Sequence, residues 1–236
     1  MTSIAALIIG LPERKLVNEA LDSVLKQFRP VDDILIGLDP RRYGEAGNMN
    51  RLIDATDCDW IAFLHDDDLW MPQHIANAEH LIKNTDADIL VSQFNLVGRD
   101  TSTIEPYHKD FADLMYTNWF PPSVVVARKE VFGHWIEGRA PLDDPWNDIY
   151  DNQGRVISRG STNGYQLHSN NPWIDWANWR RLYMEGAKFR HTNLMDVEYR
   201  FFGDNGSWTA EQVAKIVVEN VLQDPLASMR AAVQNS

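Results

Sequence analysis

A chain of 236 residues that is 44% hydrophobic, 24% charged and 11% aromatic can bury a core without disulfides or a structural metal, which excludes a disordered chain and a stapled miniprotein. A formal net charge of −12 opposes non-specific attraction to phosphate backbones and argues against a general nucleic-acid binder. The lone Cys58 cannot close an internal disulfide, no basic segment precedes the first apolar stretch, and no apolar run approaches the ~20 residues of a membrane span, so the expectation is a soluble, cytoplasmic protein. Seven of the nine tryptophans fall at or after Trp119, and flat aromatic faces suit core filling first and stacking on sugar rings second.

In chain order, Ile4 to Ile9 is an almost wholly apolar run ended by Gly10 and Pro12, the pattern of a strand buried on both faces of a parallel sheet. Val17, Ala20, Leu21, Val24, Leu25 and Phe28 form one helical stripe, which Pro30 stops. Ile34 to Leu38 is a second strand, closed by Asp39 and Pro40, so the first forty residues read as one βαβ unit. A short helix through Met49, Leu52, Ile53 and Thr56 follows, then a third strand, Trp60 to Leu64, that runs into His65, Asp66, Asp67 and Asp68. Pro72 opens a helix carried by Ile75, Ala78, Leu81 and Ile82, and Asp88 to Val97 reads as a further strand. Pro121 and Pro122 precede an apolar stretch, Val124 to Ala127. The Gly-, Asn-, Asp- and Ser-rich segment 133–171 has no period and is expected to be irregular, over the sheet. A helix is expected from Trp173 to Glu185, a strand from Asp196 to Phe202, and a closing amphipathic helix from Thr209 to Leu222, with Thr209 as N-cap and Gln212 at the capping-box position.

Ligands of open α/β sheets bind beyond the carboxyl ends of the strands, where Asp39 and the His65 to Asp68 cluster both fall. Adjacent carboxylates repel unless a cation or hydrogen bonds offset their charge, and hard oxygen ligands suit Mg²⁺ or Mn²⁺ holding a diphosphate. The plainer alternative is an acidic turn that solvates a strand end or caps the helix near Pro72.

The order of these pieces resembles the family 2 glycosyltransferases of the GT-A fold over most of the chain. The segment IIGLPERKLVNEALDSVL (8–25) is similar to that family's opening strand and helix, ILIGLD (34–39) to its strand ending in paired aspartates, and NRLIDATDCDWIAFLHDDDLWMP (50–72) to its most recognisable stretch. NWFPPSVVVAR (118–128) looks like the acceptor-side segment, and IDWANWRRL (174–182) like the stretch holding the catalytic aspartate. The resemblance implies an α/β fold with a mostly parallel, Rossmann-like sheet flanked by helices in a single domain. It would span residues 1–208, with a nucleotide-binding half to about residue 97 and an acceptor-binding half after it, followed by a helical extension at 209–236.

It also implies an inverting glycosyltransferase that moves a sugar from a nucleotide-diphosphate sugar to an acceptor hydroxyl with Mn²⁺ or Mg²⁺. Asp67 is then the metal-binding carboxylate of the DXD motif and Asp175 the catalytic base. The donor side comprises Leu11, Asp39, Asn50, His65, Asp66 and Arg200, and the acceptor side Trp173 and Trp176, for which packing is an equal alternative; Trp179 is expected to pack. Three positions depart from the family pattern: His65 stands at the first aspartate of DXD, Leu38 at the first of the paired aspartates, and Ile174 where an acidic partner is common. These departures keep a catalytically silent sugar-nucleotide or glycan-binding module as an alternative. A metal-dependent nucleotidyltransferase is another, disfavoured by the lack of a Gly-rich basic loop near Gly10. A saccharide or glycolipid acceptor is expected from the breadth of the family, with a modified DNA base as the alternative. The stripe Val213, Ile216, Val217 and Val221 suits packing on its own domain or on a partner, so oligomeric state stays open.

Overall fold

The first strand is buried because its sequence leaves no polar face: Ile4 to Ile8 are all 0% exposed, with neighbours on either side in the sheet. A computed structural model of the chain describes residues 2–10, 15–38, 45–98, 110–115, 120–135, 149–150, 156–158 and 174–200. Strand β1 (Ile4–Gly10) leads through helix α1 (Val17–Leu25) to β2 (Asp33–Leu38), and helix α2 (Glu45–Ala55) leads to β3 (Trp60–His65). The short strand β4 (Leu69–Trp70), helix α3 (His74–Asn84) and strand β5 (Ile89–Val97) follow. After 3-10 turns at Phe111–Met115 and Pro122–Val124 come β6 (Val125–Arg128) and a one-turn helix α4 (Lys129–Phe132). A two-stranded pair, β7 (Ile149–Tyr150) and β8 (Val156–Ser158), precedes α5 (Ile174–Met184) and the long β9 (Phe189–Arg200).

Seven strands form one sheet in the order β2-β1-β3-β6-β5-β9-β4. The parallel pairs β1/β2, β1/β3 and β5/β9, set against antiparallel β3/β6, β5/β6 and β4/β9, make five strands run one way, with β6 and β4 opposed. This is the mixed, mostly parallel α/β sheet that the sequence predicts. Helices α1 and α2 both pack on β1, and α2 approaches β2 so closely that Asn48 donates to the Gly37 carbonyl at 2.8 Å. A Cβ at residue 37 would lie 2.6 Å from the Asn48 side-chain oxygen, so a larger residue there would displace the Asn48 amide from the Gly37 carbonyl.

The core continues from β1 and β3 into an aromatic group. Phe63 meets Phe132 at 5.0 Å and Trp135 at 5.4 Å between ring centroids, and Trp179 of α5 closes on Trp135 at 5.2 Å and Phe120 at 5.3 Å. Trp179 is 0% exposed, so the expectation that it packs is met. Each such side chain supplies roughly 1.5–3 kcal/mol or more by leaving water.

Several boundaries differ from those read in the sequence. Helix α1 ends at Leu25 with Lys26 as its C-cap, one turn short of Phe28, so Leu25 and Phe28 are 64% and 76% exposed instead of completing the buried stripe. Strand β9 starts at Phe189, seven residues before the expected Asp196, because a bulge interrupts its alternation: Asn193 has φ 57°, and Val91 pairs with His191 while Gln93 pairs with Met195. The β7/β8 pair lies within the segment expected to be irregular. The strand expected at Asp196–Phe202 passes out of the described residues after Arg200, and the closing helix at 209–222 lies outside them, as does the proposed extension. Among the described residues, no helix is long and apolar enough to cross a membrane.

Candidate functional site

Strand β3 delivers the acidic residues to the carboxyl end of the sheet, where the Asp66 N–H donates to the Ile9 carbonyl at 2.8 Å and extends the β1/β3 ladder by one step. There the chain folds back: the Asp68 N–H donates to the His65 carbonyl at 3.1 Å, a four-residue turn that gathers the cluster and sends Leu69 and Trp70 against β9. Gly10 makes room for this turn, since a Cβ at that position would lie 2.3 Å from Asp66 Oδ2.

Three adjacent carboxylates are thus taken out of water: Asp66, Asp67 and Asp68 are 1%, 7% and 0% exposed. Asp68 is held from both sides, its Oδ2 accepting from the buried Ser123 hydroxyl at 2.5 Å and its Oδ1 from the Arg200 N–H at 3.1 Å. The Ser123 hydroxyl also accepts the His65 N–H at 3.1 Å, so one side chain ties the strand end to the last carboxylate of the turn. Arg200, at the end of β9, donates from Nε to the Asp67 carbonyl at 2.6 Å, and its guanidinium is ion-paired with Glu19 of α1. Ligand atoms of His65, Asp67 and Asp68 lie within 4.8 Å of one another; the two carboxylates suit Mn²⁺ or Mg²⁺, and the imidazole, a softer donor, favours Mn²⁺ of the two. Protein donors reach both oxygens of Asp68, from the Ser123 hydroxyl and the Arg200 N–H.

Burial, and after it the charge of Asp67, pushes the Asp68 carboxyl up to about 7, against the opposing pull of His65, the Ser123 hydroxyl and the Arg200 N–H. The unfolded chain releases that proton near 3.8, so between these values the folded state binds more protons and stability falls as pH rises, by this group's share, until it levels off above about 7. A divalent cation favours the charged form and offsets that loss. Thermal unfolding with and without Mn²⁺ is therefore expected to show a larger gain in Tm at about pH 8 than at about pH 5.5; equal gains would contradict a cation site at this cluster.

The structure therefore brings His65, Asp66, Asp67 and Arg200 together. Asn50 has a different engagement: its amide donates to the Trp135 carbonyl at 2.9 Å and accepts the Trp135 N–H at 2.7 Å, clamping α2 to the chain after α4. Asp175 sits in the first turn of α5, where its Oδ1 accepts the Trp176 N–H at 2.7 Å. The half-buried Trp176 donates from its indole to the Leu114 carbonyl at 2.6 Å, anchoring α5 to the first 3-10 turn. Leu11, Asp39 and Trp173 lie outside the described residues. Sequence reasoning passed over Ser123 and Glu19. A serine after two prolines and a glutamate on an exposed helix face carry no local mark of a site.

Residues 38–132 match the family model described as glycosyl transferase family 2, a segment that runs from the end of β2 through the acidic turn to α4 and includes Ser123. No curated protein matches the sequence. Among solved structures, residues 1–349 of Staphylococcus aureus TarS in complex with UDP-GlcNAc superpose with a TM-score of 0.58 at 11% identity, over 92% of this chain and 66% of that one. The same TarS segment in complex with UDP gives a TM-score of 0.54 at 11% identity, over 92% and 63%. A longer TarS chain gives 0.53 at 12% identity, with 92% of this chain matched to 39% of that one. The chain thus spans less than two thirds of the length of these structures. The resemblance to family 2 glycosyltransferases is carried in sequence by residues 38–132, and nearly all of the chain superposes on the TarS fold.

Proposed function

We propose that this protein transfers a sugar from a nucleotide-diphosphate donor to an acceptor hydroxyl, with a divalent cation held at Asp67 beside His65. The observation that carries the reading is the buried acidic turn at the end of β3, its ligand atoms within 4.8 Å of one another, inside the segment that matches the family 2 model. Bound Mn²⁺ or Mg²⁺ supplies positive charge against the diphosphate as it leaves. The protein's own groups do the rest. Arg200, whose Nε holds the Asp67 carbonyl, would meet phosphate oxygens of the donor. Asp39 and Leu11 serve the nucleoside side, with Asp66 completing the donor set. Asp175 takes the proton from the acceptor hydroxyl as it attacks the anomeric carbon opposite the leaving diphosphate, which inverts that centre and needs no second carboxylic acid. Trp173 and Trp176, next to this base in the sequence, would contact a saccharide or glycolipid acceptor.

Because TarS has been solved with UDP and with UDP-GlcNAc, uridine nucleotides are the first donors to test. Calorimetric titration of UDP, GDP, CDP and dTDP, and of their common sugars, with Mn²⁺ and again with EDTA, is expected to show binding of one nucleotide only when the metal is present. Binding of none of them would overturn the reading.

A further inference from the structure

The acidic turn continues directly into β4, which is two residues long and pairs with β9 only through Leu69 with Glu198 and Trp70 with Val197. So short a strand cannot hold its own register, and a slip of one residue would carry Arg200 away from Asp67 and Asp68. The Ser23 hydroxyl accepts the Trp70 N–H at 3.2 Å and Gln27 donates to the Met71 carbonyl at 2.9 Å, and beside them lies a buried pair outside the acidic cluster. His74, at the start of α3, and Asp196, in β9, have side chains 0% exposed, with Nδ1 2.8 Å from Oδ1. Asn77 donates to the other carboxylate oxygen at 3.0 Å. Burial alone would raise the Asp196 carboxyl, yet the charge and hydrogen bond of His74 and the donors beside it hold it below the usual range, so the fold keeps it ionised.

The backbone and the rings carry this pair to the turn. The Met71 N–H donates to the Asp196 carbonyl at 2.9 Å, the His74 N–H to the Met71 carbonyl at 3.0 Å, and the His74 ring stacks on Trp70 with centroids 4.7 Å apart. The Trp70 indole donates to the Ser123 carbonyl at 2.9 Å, and the Ser123 hydroxyl holds Asp68. From the other side, β9 runs from Asp196 to Arg200, which holds Asp68 and Asp67. The contacts close a ring: Asp196, His74, Trp70, Ser123, Asp68, Arg200 and back along β9.

We propose that His74 and Asp196 are positioning residues for the cation site, setting the register of β9 against the acidic turn and through it the geometry of Asp67 and His65. The inference rests on the functional reading above. A buried polar pair is a poor source of net stability, since well-packed apolar residues often serve as well, and fixing register is its best-attested use.

The test is Mn²⁺ titration of the full chain, followed by the electron paramagnetic resonance of the free ion, on wild type, His74→Gln, Asn77→Ala and a core control, Leu52→Ala on α2, with Tm measured for each. His74→Gln is expected to weaken Mn²⁺ binding at least about tenfold, and Asn77→Ala to weaken it in the same direction by less. Leu52→Ala is expected to lower Tm with Mn²⁺ affinity unchanged. Wild-type affinity in both folded polar variants would overturn the inference while leaving the functional reading intact. A parallel loss in Leu52→Ala would overturn it by showing that affinity merely follows stability. Should His74→Gln not fold, Asn77→Ala decides alone, and wild type that takes up no Mn²⁺ would overturn the functional reading and this inference together.

Discussion

Asp67→Asn is expected to abolish metal-dependent nucleotide binding, with a loss of at least about 100-fold in transfer, while leaving the metal-free protein as stable as wild type or more so. The two effects have one cause. Asp67 places a negative charge beside the buried Asp68, and this charge is one of the causes that push the Asp68 carboxyl up to about 7. Removing it relieves the repulsion that a cation otherwise offsets, at nearly constant shape. Calorimetric titration with the nucleotide selected by wild type, paired with thermal unfolding in EDTA, separates these effects. A variant that loses binding together with several degrees of Tm would mean that Asp67 serves the fold, and one that still binds with Mn²⁺ would remove it from the proposed cation site.

Asp175→Asn is expected to leave donor and metal binding unchanged and to lower the rate of sugar transfer by about 10²–10⁴-fold, the usual contribution of a general base. Asparagine keeps the hydrogen bond that the Asp175 side chain accepts from the Trp176 N–H, so α5 retains its first turn and the effect falls on proton transfer alone. Steady-state kinetics with the donor identified by titration provide the check. A kcat within a few-fold of wild type would assign the base to another residue and leave Asp175 as the carboxylate that accepts the Trp176 N–H in the first turn of its helix.

What was legible in the sequence, and what was not, can be traced through particular elements. Strands β1 and β3 are buried on both faces, so their residues must be apolar without interruption, and runs such as Ile4 to Ile9 announce them directly. The acidic turn is legible for the converse reason: four ionisable residues after such a run have no role in packing. Strand β9 is harder, since the bulge at Asn193 breaks the period by which a strand is recognised, and the exposed Leu194 and Met195 look like core. Strand β4 carries too few residues to show any period at all.

By itself the sequence determined the α/β class, the order of strands and helices up to β5 apart from the short β4, and the placement of the acidic residues at a strand end, because each follows from the periodicity and chemistry of neighbouring residues. The tertiary structure alone decided which distant groups complete the site. Ser123 reaches Asp68 across 55 positions, Asp196 reaches His74 across 122 and Arg200 reaches Glu19 across 181. Hydrogen bonds and ion pairs depend on distance and direction in space, and at these separations only the packed sheet sets them.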